Sequence, residues 1–257
     1  MKKYVSLLLC FLMIFSLAGC GGNSKEDTSA YTYSSELDIK NLDSSDADDQ
    51  CSLRAIHAVI DGLIKTDKKG NITYGIAKSE EVSEDGLTHT YKLRKDAKWA
   101  NGDPVTANDF VYAWQRIFRK KGSYYYMFAD GIASIEGAQE LSDKIDAGEE
   151  LTDDDLNSMG VKALDDYTLE VKTTVRVSFL DELLAFPPFY PINEKFAEKQ
   201  GNKYGKSAKT ILGNGAFTMT NWEPGSVAEF EKNESYYDQK HVKLNKLVMK
   251  LVQEPKV

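Results

Sequence analysis

Histidine, cysteine and proline are scarce in this chain of 257 residues, with three, three and six copies respectively. The histidines, His57, His89 and His241, stand at no spacing with Cys, Asp or Glu that a zinc site would need. A Gly-x-Ser-x-Gly elbow, a P-loop and a Gly-x-Gly-x-x-Gly turn are absent together, so the common nucleophile and phosphate signatures fail. No enzyme chemistry, cofactor or metal is expected. Basic residues number 32 against 40 acidic ones, a net charge of -8 that becomes -10 once Lys2 and Lys3 are removed. Nucleic acid is excluded as a partner, because phosphate binding needs clustered Lys and Arg. Apolar residues are not lacking: at 42% hydrophobic the composition is globular, and disorder of the whole chain is excluded. The length allows one large domain or two small ones.

The chain opens with Met1, Lys2 and Lys3, then an apolar run from about Tyr4 to Ala18. That run is shorter than the roughly 20 apolar residues needed to span a bilayer, and small residues follow it, which is the layout of a secretory signal over 1–19. Leu17-Ala18-Gly19-Cys20 resembles the lipobox of bacterial lipoproteins. The resemblance implies cleavage before Cys20 and lipid attachment to its sulfur, with two acyl chains giving lasting attachment to the membrane. Cys10 lies in the leader and Cys20 carries lipid, so Cys51 alone remains and an intramolecular disulfide is impossible in the mature chain. Residues 20–30, small and polar, read as a lipidated tether.

Beyond the tether, Leu53, Ile56, Val59, Ile60 and Leu63 recur at helical spacing behind the acids Asp46, Asp48 and Asp49, with Gly62 at the fraying end. Cys51 reads as a semi-buried small residue near the start of that helix. Leu87, His89, Tyr91 and Leu93 alternate with polar residues, as in a strand with one buried face. His89 is therefore expected to be a satisfied structural histidine. Thr106 with Asp109 is a capping box that starts a helix whose stripe is Phe110, Ala113, Trp114, Ile117 and Phe118, with Gly122 as its stop. Tyr124, Tyr125, Tyr126, Met127 and Phe128 crowd an aperiodic segment, where ligand contact and simple packing are both open. Thr152 with Asp155 repeats the capping signal, strands follow around Asp165-Asp166, and a stripe from Leu180 to Phe186 ends at Pro187-Pro188. Asn193 opens a helix closing at Gly201, and the remainder to Leu251 is β-rich. Asp153-Asp154-Asp155 and Asp46 with Asp48-Asp49 leave calcium or paired-carboxylate hydrolysis as an alternative, although both runs sit at helix starts, where acids are expected anyway.

The stretch from Gly86-Leu87-Thr88-His89-Thr90-Tyr91 through Trp99-Ala100-Asn101-Gly102-Asp103-Pro104 to Asp109-Phe110-Val111-Tyr112-Ala113-Trp114 resembles the signature of the extracellular solute-binding proteins of peptide ABC importers, family 5, the oligopeptide-binding group. The likeness extends upstream through Asn41-Leu42-Asp43 and Asp61-Gly62-Leu63-Ile64. Downstream it takes in Gly160 to Asp166, Gly213-Asn214-Gly215-Ala216-Phe217 and Lys232 to Asp238. It covers nearly all of Tyr31 to about Val252. What it implies is an α/β fold, a periplasmic-binding-protein-like (class II) lobe formed by 31–75 and 196–257, with a small α+β domain, 76–195, inserted. The function implied is capture of an oligopeptide outside the cell and its delivery to an ABC permease, by a monomer held at the outer face of the cytoplasmic membrane through its lipid anchor.

By the same resemblance Asp38, Ile39 and Lys40 pair with the peptide backbone, and Tyr124 and Tyr126 line the cleft. Strand-like pairing uses main-chain groups common to all peptides, so the implied sequence preference is broad. Family members are considerably longer, and the expectation for this chain is that the second lobe is missing and that peptide binding by it alone is weak or lost. The alternative in another class is a truncated surface lipoprotein with an interaction role and no ligand capture.

Overall fold

Asp49, Thr106 and Thr152 cap three of the helices, and alternating apolar residues build the sheets, as the computed structural model of the protein shows for residues 29–252. The expected leader, Cys20 and most of the tether lie outside the described residues. In chain order the strands are β1 (Ala30–Ser35), β2 (Ile64–Thr66), β3 (Ile72–Tyr74), β4 (Ala77–Val82), β5 (Thr88–Leu93), β6 (Val161–Asp165), β7 (Thr168–Lys172), β8 (Phe217–Glu223), β9 (Val227–Lys232) and β10 (Lys246–Leu251). The helices are α1 (Gln50–Val59), α2 (Ala107–Arg119), α3 (Ala138–Asp146), α4 (Asp153–Asn157), α5 (Leu180–Leu184) and α6 (Glu194–Gln200).

Two four-stranded sheets result. One has the order β1-β10-β9-β8, with β1 parallel to β10 from Ala30↔Lys246 to Ser35↔Leu251 and the other pairs antiparallel. The tether expected to run to Ala30 therefore ends sooner, because Ala30 is already paired and the Ser29 carbonyl accepts from Asn245. The other sheet has the order β4-β5-β7-β6 and is antiparallel throughout, and β2 with β3 forms a separate hairpin. In β5 the alternation holds: His89, Tyr91 and Leu93 are buried while Lys92 is exposed.

Both expected capping boxes form. Asp109 Oδ2 accepts from Thr106 N at 2.7 Å at the start of α2, and Asp155 Oδ2 accepts from Thr152 N at 2.8 Å at the start of α4. The stripe of α2 is buried as a whole, and Trp114 sits edge-on to Phe128 and Phe189, with ring centroids 5.5 and 5.7 Å away. Its indole nitrogen donates to Phe189 O at 3.0 Å, so this large side chain is dry and satisfied. Buried residues of both sheets and of α1, α2 and α5 belong to one continuous core.

Two helix ends differ from the reading of periodicity. Helix α1 stops at Val59, with Ile60 already extended, four residues before the last apolar residue of its stripe. The cause is distant in sequence. Gly215 N–H donates to Val59 O at 2.9 Å, Asn214 accepts from Asp61 N at 2.8 Å, and a Cβ on Gly213 would lie 2.2 Å from Val59 O. Leu63 is buried, but as part of the run into β2. At the end of α2 the left-handed residue is Lys121, with φ of 52°, and not Gly122. Gly122 serves a close approach instead, because a Cβ there would fall 1.8 Å from Ser45 O.

Candidate functional site

The residues singled out for ligand contact fall on the connection from β1 to α1 and on the segment after α2. Asp49 caps α1, accepting from Cys51 N and Ser52 N, and its other oxygen takes the Ser52 hydroxyl at 2.6 Å. The freed lone pairs of Ser52 Oγ then accept from Lys40 N at 2.9 Å and Asn41 N at 3.1 Å. Asp38 holds the segment from its other side, one carboxylate oxygen accepting from Ile39 N at 2.8 Å and the other from Gly225 N at 2.6 Å in the turn between β8 and β9. Ile39 is only 2% exposed and anchors the segment in the core.

The consequence is a segment whose shape is set and whose remaining polarity is of one kind. The N–H groups of Ile39, Lys40 and Asn41 are all engaged within the protein, whereas the carbonyls of Asp38, Ile39 and Lys40 take part in no hydrogen bond among the described residues. The unpartnered carbonyls of Asp38 and Lys40, on either side of the buried Ile39, are fixed acceptors suited to a ligand rich in N–H donors. The Lys40 side chain lies at the exposed surface beside them.

Tyr124 and Tyr126 lie close to each other, ring centroids 6.3 Å apart, in and before the 3-10 turn Tyr125–Phe128. Tyr124 packs edge-on against Phe186 at 5.5 Å and its hydroxyl donates to Asp48 O at 3.4 Å. Tyr126 is 49% exposed, and Phe128 at the other end of the turn is fully buried, so the crowded aromatics divide between surface and core. Among the described residues no hydrogen bond joins Tyr124 or Tyr126 to Asp38, Ile39 or Lys40. Both groups instead flank the loop 41–49, which is fixed by Leu42 N to Gly205 O at 2.8 Å and by a buried ion pair, Arg116 to Asp43, at 2.5 Å. The Arg116 guanidinium also lies over the Tyr204 ring, 5.1 Å from its centroid.

A second polar cluster escaped the reading of motifs one by one. Tyr236 and Tyr237 hydroxyls donate to Asp61 Oδ2 at 2.7 and 2.8 Å, Lys65 Nζ reaches both hydroxyls at 3.1 Å, and the Arg94 guanidinium stacks 3.6 Å from the Tyr237 ring centroid. Burial and the Asp61 charge raise both phenols above the ordinary tyrosine value. The cluster ties the end of α1 to the approach to β10. Its members were visible only as separate quoted motifs, since no spacing rule joins residues 175 positions apart.

The acidic runs have local partners. Asp155 completes its capping box and pairs with Lys144, Asp153 pairs with Arg119 at 3.0 Å, and Asp49 caps α1. Cys51 is buried, its sulfur donating to Leu37 O at 3.0 Å, and burial raises the thiol above its usual value. His89 departs from expectation. Its Nδ1 pairs with Glu80 Oε1 at 2.6 Å, but the buried Nε2 has no partner, so the ring is only half satisfied.

Comparison with known proteins gives one consistent answer. Residues 71–257 match the model described as bacterial extracellular solute-binding proteins, family 5 middle. The oligopeptide-binding protein OppA of Bacillus subtilis is 34% identical over 264 residues, covering 98% of this chain and 46% of the relative. The dipeptide-binding protein of Lactococcus lactis is 33% identical, covering 92% and 42%. Among solved structures, the substrate-binding domain of an oligopeptide ABC transporter from Bacillus anthracis superposes with a TM-score of 0.81 at 35% identity, covering 89% of this chain and 42% of that one. Listeria monocytogenes OppA bound to peptide gives 0.80 at 34% identity, covering 89% and 43%. The chain thus spans under half the length of the curated relatives it matches.

Proposed function

The chain belongs to the bacterial extracellular solute-binding proteins of family 5, and from that premise we propose that it takes up oligopeptides outside the cell for delivery to an ABC permease. The observation that carries the proposal is the fixed segment Asp38–Lys40, whose N–H groups are engaged within the protein while its carbonyls have no partner among the described residues. Peptide N–H groups are the complementary donors, and main-chain pairing gives affinity with little dependence on side chains. Tyr124 and Tyr126, on the other side of the 41–49 loop, supply an aromatic surface for a peptide side chain.

In this reading, 31–75 with 196–257 form the ligand-holding lobe and 76–195 an inserted domain. Cys20 carries the lipid that keeps the protein at the outer face of the membrane. The described residues supply one face for the ligand. A one-faced site leaves most of the peptide in water, and the free energy of ordering it is poorly offset, so the 257-residue chain binds weakly, as a monomer.

Calorimetric titration with a mixed pool of short peptides tests this. Weak heat that saturates, with a small rise in melting temperature, is the expected result. Absence of any heat in the high millimolar range overturns peptide capture by these residues. Incorporation of labelled palmitate, abolished by Cys20→Ala, tests the anchor separately.

A further inference from the structure

Helix α2 carries a second stripe beside its apolar one: Tyr112, Gln115, Arg116, Arg119 and, at its cap, Lys120 stand at the spacing of one helix face. On α6 and its cap, Glu194, Ala197, Glu198 and Gly201 share a face in the same way. The two faces border a cavity of about 460 Å³. Its room comes from small residues, since Ala197 has little side chain to fill it and a Cβ on Gly201, at φ of 54°, would meet nothing within 4 Å.

The two helices run side by side in one direction, and this sorts the charges. Ile192 N, just before α6, donates to Asp109 O in the first turn of α2 at 3.1 Å. Glu198 takes the Tyr112 hydroxyl at 2.8 Å, and Tyr204, beyond α6, holds its ring 5.1 Å from the Arg116 guanidinium. Both carboxylates therefore belong to the end of the cavity nearer Tyr112, and Arg116, Arg119 and Lys120 to the other. At about 1.5 Å per residue, the four to eight residues from Tyr112 to Arg116 and Lys120 set the two ends about 6–12 Å apart. Arg116 is fixed, its side chain 8% exposed and paired with Asp43, and Arg119 pairs with Asp153. Among the described residues Lys120 Nζ and the Glu194 carboxylate have no hydrogen bond or ion pair, and no ion pair joins the two walls. With both arginines matched by acids outside the cavity, one unmatched cation remains at one end and two carboxylates at the other. A simple anion is repelled by one end and a simple cation by the other.

The geometry points to a binding site for a small zwitterion, an ammonium and a carboxylate joined by an extended chain. The ammonium meets Glu194 and Glu198, the carboxylate meets Lys120 with Arg119 beside it, and the chain crosses the small residues Ala197 and Gly201. An amino acid with both charges on one carbon is too short to reach both ends. The inference is independent of peptide capture, since no residue of the cavity belongs to the 38–40 segment or to the Tyr124–Tyr126 pair.

The test is a titration of the full chain with 6-aminohexanoate at neutral pH and constant ionic strength, following the Gly201 and Asn202 amides and the Gln115 side-chain amide by nitrogen-15 NMR. Hexanoate and n-hexylammonium chloride are the controls for each charge alone, and glycine is the control for charge spacing. The expected result is a saturable shift of all three amides, with each control at least about tenfold weaker. Affinity should fall about threefold in Lys120→Gln and in Glu194→Gln, changes at exposed side chains that break no hydrogen bond of the fold. Absence of a saturable shift, a control that binds as tightly as 6-aminohexanoate, or affinity unchanged when both substitutions are combined overturns the proposal.

Discussion

The stretch from Leu87 to Gly122 and the pair of segments Asp38–Lys40 and Tyr124–Tyr126 are built on different principles. In the first, the residues that make the family recognisable face inward: Tyr91, Trp99, Phe110 and Trp114 are fully buried, and Asp109 ties the Trp99 segment to the start of α2 by accepting from Thr106 N, Thr106 Oγ1 and Trp99 Nε1. In the second, side chains of the protein hold the backbone still and leave three carbonyls without a partner among the described residues and a tyrosine half exposed, the groups proposed to meet a ligand. A long and specific motif can therefore be a signature of packing, while the surface proposed to hold the ligand has little pattern of its own.

The largest effect that sharpens this contrast is Trp114→Ala. Removing a dry indole that also donates to Phe189 O should cost about 3–5 kcal/mol of stability, read as a lowered urea midpoint. A cost below that of Tyr126→Ala would break the comparison.

Asp109 gives the next largest effect, and a pH dependence. Burial raises its carboxyl from the ordinary aspartate value of 3.8 to about 6, so the folded state keeps a proton that the unfolded state has lost between those values. Its contribution to stability is fully present below about pH 4 and is lost as pH rises through 6, a swing of up to about 3 kcal/mol. Asp109→Asn mimics the protonated acid, so the variant should gain on the wild type between pH 4 and 7 in parallel urea titrations. Profiles that stay parallel would contradict the burial argument.

Smaller still is Thr152→Ala, which removes the hydroxyl that accepts from Asp155 N at 3.1 Å and should cost about 1 kcal/mol. The smallest change in stability is expected from Tyr126→Ala, within about 0.5 kcal/mol, since the ring is half in water. Its signature lies elsewhere, in weaker peptide binding with an unchanged melt.

What could be read from the sequence was what is settled locally. The boxes at Thr106 and Thr152, the Asn193 cap and the alternation in β5 depend on neighbours a few residues away, and all of them formed. The early stop of α1 was not legible, because Gly213, Asn214 and Gly215 decide it from about 155 positions downstream. Gly122 looked like a helix stop, but what demands a glycine is the backbone of Ser45. The site was legible only through resemblance. Nothing in the run Asp38-Ile39-Lys40 announces that Ser52 and Gly225 would engage its amide and carboxylate groups and leave its carbonyls free. The same holds for His89, whose apolar neighbours predicted burial but could not tell which of its nitrogens would find a partner.

The most direct test of the account is a carbon-13 NMR titration of the backbone carbonyls with trialanine. The account predicts saturable shifts at Asp38, Ile39 and Lys40, with the Trp99 and Trp114 indoles unmoved. Shifts that saturate elsewhere while these three carbonyls stay fixed would contradict it.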